Sequence, residues 1–195
     1  PGILKEYVQF RLGMIYLSSK VRKYKKGKGK QPMIKIDDWV IKKGEKAQGK
    51  IEIVGRGMAM PATVICGAED GPTILITAGI HSAEYVGIQA AMELAKEFQP
   101  EELKGNVIII PLVNVSGFEH RTMSMVYEDG KNLNRVFPGN SEGTAAECIA
   151  CTIVRKLFSI TDYYIDLHSG DGYEQLHPYV YYVCLLYTSD AADEA

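Results

Sequence analysis

Thr73-Ile74-Leu75-Ile76-Thr77-Ala78-Gly79-Ile80-His81-Ser82-Ala83-Glu84 is the stretch on which the reading of the fold turns. Its first half is an apolar run of strand length bounded by Pro72 and Gly79, which reads as a buried strand. An amphipathic segment over residues 82–98 follows at once. Val86, Ala90, Ala91, Leu94, Ala95 and Phe98 recur there at helical spacing and predict one apolar stripe. Ser82 is a suitable cap, and Glu84 falls in the first turn, where the helix dipole favours an acid.

The same alternation extends to both sides. Residues 51–54 and 62–66 read as strands, and Glu69-Asp70-Gly71-Pro72 as a turn before the central run. Residues 106–110 form a further buried strand, closed by Pro111. No strong period appears over 115–140. Residues 144–159 predict a second helix, 162–167 another strand, and 178–183 the start of one more. Strands alternating with helices imply an α/β fold with a mostly parallel, mixed central sheet. Ligands of such sheets gather beyond the carboxyl ends of the strands. His81, Asn114 and His168 all fall just past such ends.

His81 and Glu84 stand three residues apart at a strand-to-helix junction, where both side chains can face one point. His168 closes the run Tyr163-Tyr164-Ile165-Asp166-Leu167. Two histidines and one glutamate, with a fourth position left for water, make the ligand set of a hydrolytic zinc site. Asp166 lies two residues before His168, on the same strand face, where a carboxylate can hold the imidazole in one tautomer. The loop after Asn114 carries Arg121 and then Asn132-Leu133-Asn134-Arg135-Val136-Phe137-Pro138-Gly139. The adjacent Asn134 and Arg135 offer an amide and a planar fork suited to a carboxylate.

His81-Ser82-Ala83-Glu84, Asn132 to Gly139 and Asp166-Leu167-His168, in that order, resemble the zinc carboxypeptidase superfamily, in its succinylglutamate desuccinylase/aspartoacylase branch. The resemblance covers residues 34–183. It implies a three-layer fold whose sheet is flanked by helices, incomplete here at its C-terminus. It implies one zinc ion on His81, Glu84 and His168, a substrate carboxylate on Asn134 and Arg135, and a carbonyl polarised by Arg121. The family's general base is a glutamate beyond the third zinc ligand, and no position before Val183 matches it; Glu174 reads as a loop acid. The implied activity is cleavage of an amide in a small N-acyl amino acid. Two alternatives stand beside it: a metallocarboxypeptidase acting on peptides, and a metal- or ligand-binding domain without the base.

The chain has 195 residues and a net charge of −2, which divides unevenly. Residues 1–32 carry nine Lys/Arg and one acid, residues 33–183 thirteen and twenty, and residues 184–195 three acids alone. Residues 1–32 therefore read as a basic flexible leader or mistranslated upstream segment, although residues 7–17 are apolar enough for a short helix. Residues 184–195 resemble the translation of a sequencing-library adapter, so the native sequence is expected to stop near Val183. The acidic body argues against nucleic acid as a partner, and no apolar run has membrane-spanning length. Cys66, Cys148, Cys151 and Cys184 form no disulfide framework, which fits a cytoplasmic enzyme; Cys148 and Cys151 read as a helix face. His120 and His177 read as loop residues, and Tyr179, Tyr181 and Tyr182 as strand packing.

Overall fold

The computed structural model describes residues 33–177 together with the backbone of residues 14–18 and 179–182. The basic run at 21–30, the tail at 184–195 and the side chains of Tyr179, Tyr181 and Tyr182 lie outside the described residues.

The strands are β1 (Met14–Ser18), β2 (Met33–Ile36), β3 (Trp39–Lys42), β4 (Lys46–Glu52), β5 (Ala59–Cys66), β6 (Glu69–Ala78), β7 (Lys104–Ile110), β8 (Tyr163–His168) and β9 (Tyr179–Tyr182). The helices are α1 (Tyr85–Glu97), α2 (Val115–His120) and α3 (Ala145–Thr152). Seven strands form one mixed sheet in the order β4-β5-β7-β6-β8-β1-β9, and β2 and β3 make a separate hairpin. The centre, β7-β6-β8, is parallel. The β4-β5, β5-β7 and β8-β1 pairings are antiparallel, and β1-β9 is parallel. The architecture is the α/β sheet with flanking helices that the alternation predicts.

The central strands are mostly apolar over their buried halves because both of their faces are covered. Leu75, Ile108 and Ile110 point to one side, where Ala146, Ile149, Ile153 and Leu157 pack on them. Ile76, Ala78, Val107 and Ile109 point to the other side, against Ile88, Ala91 and Ala95 of α1. Gly87 lets α1 settle onto β8, since a Cβ there would stand 3.0 Å from the Leu167 carbonyl oxygen.

Several local expectations are corrected. The helix starts at Tyr85, so Val86 is 53% exposed and Gly87 and Ile88 take its buried place. Ser82 does not cap the helix; its hydroxyl donates to the Met123 carbonyl at 2.7 Å. Glu69 to Pro72 belong to β6, whose register against β7 shifts there, rather than to a free turn. Over residues 14–17 the backbone is strand, not helix, paired between β8 and β9. The second helix runs as expected, with α3 continuing through a wider turn at Ile153–Leu157. Cys148 and Cys151 are buried on it as free thiols.

The loop before α3 is tied to the helix start by Asp129. Its carboxylate accepts from Ala146 N at 2.8 Å and from Lys131 N at 3.0 Å. Burial pushes the Asp129 carboxyl up, but these N–H groups outweigh it and hold it below the ordinary 3.8. Its contribution is therefore fully present above that value and is lost as pH falls through the lower folded value. We expect Asp129→Ala to cost about 1–2 kcal/mol at pH 7, as capping losses do. Urea midpoints measured against pH should show the gap to wild type closing below about pH 3.8; a gap independent of pH would show that the charge is irrelevant.

Candidate metal centre

β6 and β8 are parallel neighbours, with Ala78 opposite Leu167, so their carboxyl ends lie side by side. The chain leaves β6 through Gly79 at φ +64°, a left-handed conformation open to glycine, and turns His81 back over the strand end. The Ser82 N–H and hydroxyl both reach the Met123 carbonyl, which anchors the 121–125 loop against this turn. Glu84 follows at the position just before α1. Its backbone is not yet helical, and its carboxylate turns inward rather than capping the helix.

Glu84 thus lies between the two histidines. Its Oε1 is 2.9 Å from His81 Nδ1 and its Oε2 is 2.8 Å from His168 Nδ1. Oε2 also accepts from Ser169 N at 3.2 Å. Donor atoms of His81, Glu84 and His168 all lie within 4.8 Å of one another. The far nitrogen of each ring meets an oxygen: His81 Nε2 is 3.1 Å from Asn132 Oδ1, and His168 Nε2 is 2.8 Å from Asp166 Oδ2. Thr77 donates its hydroxyl to Asp166 Oδ1 at 2.6 Å. Glu84, Asp166 and His168 are all buried.

This pattern tests whether the site suits a metal ion. If each Nε2 carries the proton it gives to its oxygen partner, each Nδ1 presents a lone pair to a carboxylate oxygen, which is also an acceptor. The contact is then favourable only with a second proton or a cation between them. Burial pushes the His168 pKa down, but the hydrogen bonds that its ring donates to the Asp166 and Glu84 carboxylates overcome it and raise it to about 10. His81 is raised as well, first by the Glu84 hydrogen bond. The pocket is thus built to stabilise positive charge, and two imidazoles with one carboxylate are a set that zinc accepts. The three residues fit a metal.

The other sequence candidates are placed less tightly. Arg121, at the end of α2 with φ +57°, lines a groove of about 430 Å³ beside the triad, together with Ser82 and Ala83. Asn134 follows Asn132 in a short turn, and its N–H donates to Asn132 Oδ1 at 2.9 Å. Arg135 is exposed and its guanidinium donates to the carbonyl of Asn134. Asn114 is consumed structurally, accepting from Gly117 N and donating to the Met125 carbonyl. His120 stacks on Tyr127 at 3.6 Å, and His177 and Glu174 are exposed loop residues. Asn132 was missed by sequence reasoning as a partner of His81, because the two lie 51 positions apart with no local pattern linking them.

The family model described as the succinylglutamate desuccinylase/aspartoacylase catalytic domain matches residues 70–185, more than half of the chain. The chain belongs to this family. A curated relative, the N-alpha-acetyl-L-2,4-diaminobutyric acid deacetylase of Halomonas elongata, is 42% identical over 113 residues, or 57% of this chain and 32% of that protein. The succinylglutamate desuccinylase/aspartoacylase structure from Rhodobacter sphaeroides is similar with a TM-score of 0.58 at 30% identity, covering 64% of this chain and 40% of that one. The product-bound ectoine utilization protein EutE (DoeB) from Ruegeria pomeroyi gives a TM-score of 0.61 at 32% identity, covering 73% and 44%. The chain therefore spans less than half the length of these family members. Among the described residues no helix is long and apolar enough to cross a membrane.

Proposed function

We propose that the full-length protein is a zinc-dependent amidohydrolase that removes the acyl group from an N-acyl amino acid with a free carboxylate. The observation that carries this reading is the pair of imidazoles locked through Nε2 while both Nδ1 atoms turn onto Glu84. Membership in the deacylase family supports it, as does the Halomonas relative, whose name specifies an Nα-acetylated diamino acid.

His81, Glu84 and His168 would hold the ion. When bound there, zinc supplies Lewis-acid polarisation of the scissile carbonyl and acidifies water. Asp166 and Asn132 keep the two rings in the tautomer that leaves Nδ1 free for the metal. Arg121, in the groove beside the triad, donates to the carbonyl oxygen as negative charge develops on it. Asn134 and Arg135 grip the substrate carboxylate and set the register of the amide bond.

The test is an assay of the zinc-loaded full-length protein for release of the free amine from N-acyl amino acids, with and without a chelator. Release abolished by the chelator and restored by zinc is the expected result. No release from any acyl amino acid would reject the reading. In the active protein, Arg135→Ala should raise KM by about 10-fold or more, as loss of a charged hydrogen bond does, with a smaller effect on kcat. An unaltered KM would remove Arg135 from the clamp.

A further inference from the structure

Arg121, which meets the developing oxyanion in the mechanism above, is fixed by nothing of its own. Among the described residues no hydrogen bond or ion pair holds its guanidinium, so its place is set by its backbone. That backbone is unusual. Arg121 and Met123 both have left-handed conformations, at φ +57° and +56°. Glycine is the ordinary occupant of such a position after a helix. A residue with a side chain stays there only where its surroundings impose it, and such places gather at functional sites. Both side chains line the groove beside the triad.

Three anchors impose it. At the start of the loop, Thr122 N donates to the Gly117 carbonyl at 2.9 Å and closes α2. At its far end, the Met125 carbonyl accepts from Asn114 Nδ2 at 3.0 Å. These two shape the loop on its own helix. The third joins it to the turn that carries His81 and Glu84. Met123 offers its carbonyl to Ser82, whose N–H donates to it at 2.8 Å and whose hydroxyl donates to it at 2.7 Å. Among the described residues, Ser82 makes the only hydrogen bonds between residues 121–125 and that turn. Ser82 is 2% exposed, so water does not stand in for its hydroxyl. Its side chain has no other hydrogen-bond partner among the described residues, and it does not cap α1.

We infer that Ser82 is the positioning residue for Arg121: its double grip on the Met123 carbonyl registers the left-handed loop against the metal turn and so places the guanidinium beside the triad. One short turn thereby sets both the candidate metal ligands and the donor that must meet the oxyanion. Such a donor acts only if it is held where the charge will develop, and a displacement of about 1 Å can cost about 100-fold in rate. The inference rests on the deacylase reading and on the part Arg121 plays in it.

The experiment is a double-mutant cycle on the zinc-loaded full-length protein, with an N-acyl amino acid that wild type cleaves and rates expressed per bound zinc. Arg121→Ala should lower kcat by about 100-fold or more, as loss of an oxyanion donor does. Ser82→Ala keeps its backbone N–H on Met123 and should lower kcat by about 2- to 10-fold, the range for one neutral hydrogen bond. In the Arg121→Ala background the same change should alter kcat by less than about twofold, because the two residues act as one unit. An equal fall in both backgrounds overturns the inference, since a merely structural serine lowers both alike. Zinc lost from Ser82→Ala also overturns it, because the effect would then run through the metal ligands. Wild-type kcat in Arg121→Ala overturns it too, while leaving the deacylase reading in place. Ser82→Cys, of similar size but a weaker donor, serves if the alanine variant does not fold, and should show the same non-additivity. Amide hydrogen exchange gives a reading apart from activity: Thr122 and Met125 should exchange faster in Ser82→Ala than in wild type, and unaltered exchange overturns the anchor. If wild type releases no amine from any N-acyl amino acid, the deacylase reading fails, and exchange alone decides whether Ser82 holds the loop.

Discussion

His168→Ala in the full-length protein is expected to take bound zinc from about one ion per chain to near zero. His168 is 1% exposed and stands between two buried carboxylates, Glu84 and Asp166. Removing the imidazole deletes a ligand and also leaves two negative charges facing a cavity. Breaking a buried charged arrangement in this way costs about 3–5 kcal/mol, so loss of zinc and loss of fold must be read apart. His81→Ala does this, because His81 lies nearer the surface, with its side chain 16% exposed. It should lose zinc by the same logic while unfolding at a urea concentration closer to wild type. Metal analysis after gel filtration, alongside circular dichroism, gives both readings. Wild-type zinc content in either folded variant would sink the site. The same geometry is expected to make zinc uptake pH-dependent: an imidazole whose proton is stabilised by Asp166 and Glu84 must release it to the metal, so apparent affinity rises with pH.

The parts of this fold that could be read from the sequence are those where burial acts on both faces of an element. β6, β7 and β8 stand out as largely apolar runs, broken in β8 by Asp166, because helices cover the sheet on both sides. His81 and His168 were legible because each follows such a run directly. What escaped is what depends on contacts distant in sequence. The β2–β3 hairpin is only four residues a strand, and its Ile34, Ile36 and Ile41 gain meaning only from the core they reach. The start of α1 moved by three residues because Met123 claims Ser82 and the histidines claim Glu84. Local capping preference lost there to tertiary hydrogen bonds, at the candidate metal site, and such conflicts are expected where a chain trades local preference for function. Asn132 belongs to the Asn132 to Gly139 motif, but its bond to His81 has no sequence signature.

Asp166→Asn should weaken zinc binding by about 10- to 100-fold, although Asp166 touches no metal. Its two oxygens are both committed: Oδ2 accepts from His168 Nε2 at 2.8 Å, and Oδ1 accepts from Thr77 Oγ1 at 2.6 Å. Thr77 lies directly opposite Asp166 in the parallel ladder, and Tyr164 OH meets the same hydroxyl at 2.8 Å. Asparagine has the same shape but one donor face. If its NH₂ points at His168, donor meets donor, and the ring relieves this only by moving its proton to Nδ1, the nitrogen turned toward Glu84. The lone pair the metal needs is then gone. If the NH₂ points at Thr77, the amide oxygen still accepts from Nε2, but the charge that favours the imidazole's positive character is lost. Thr77 must then reverse its hydroxyl, and Tyr164 with it. The first arrangement removes a ligand and the second only weakens it, so the size of the effect reports which the variant adopts. Zinc competition against a chromophoric chelator measures it directly. Thr77→Val separates the alternatives further: it removes the hydroxyl that orients Asp166 while keeping the carboxylate, and should fall between wild type and Asp166→Asn. A zinc affinity within about twofold of wild type in Asp166→Asn would mean that His168 is oriented by packing alone and that this buried relay has no part in binding the metal.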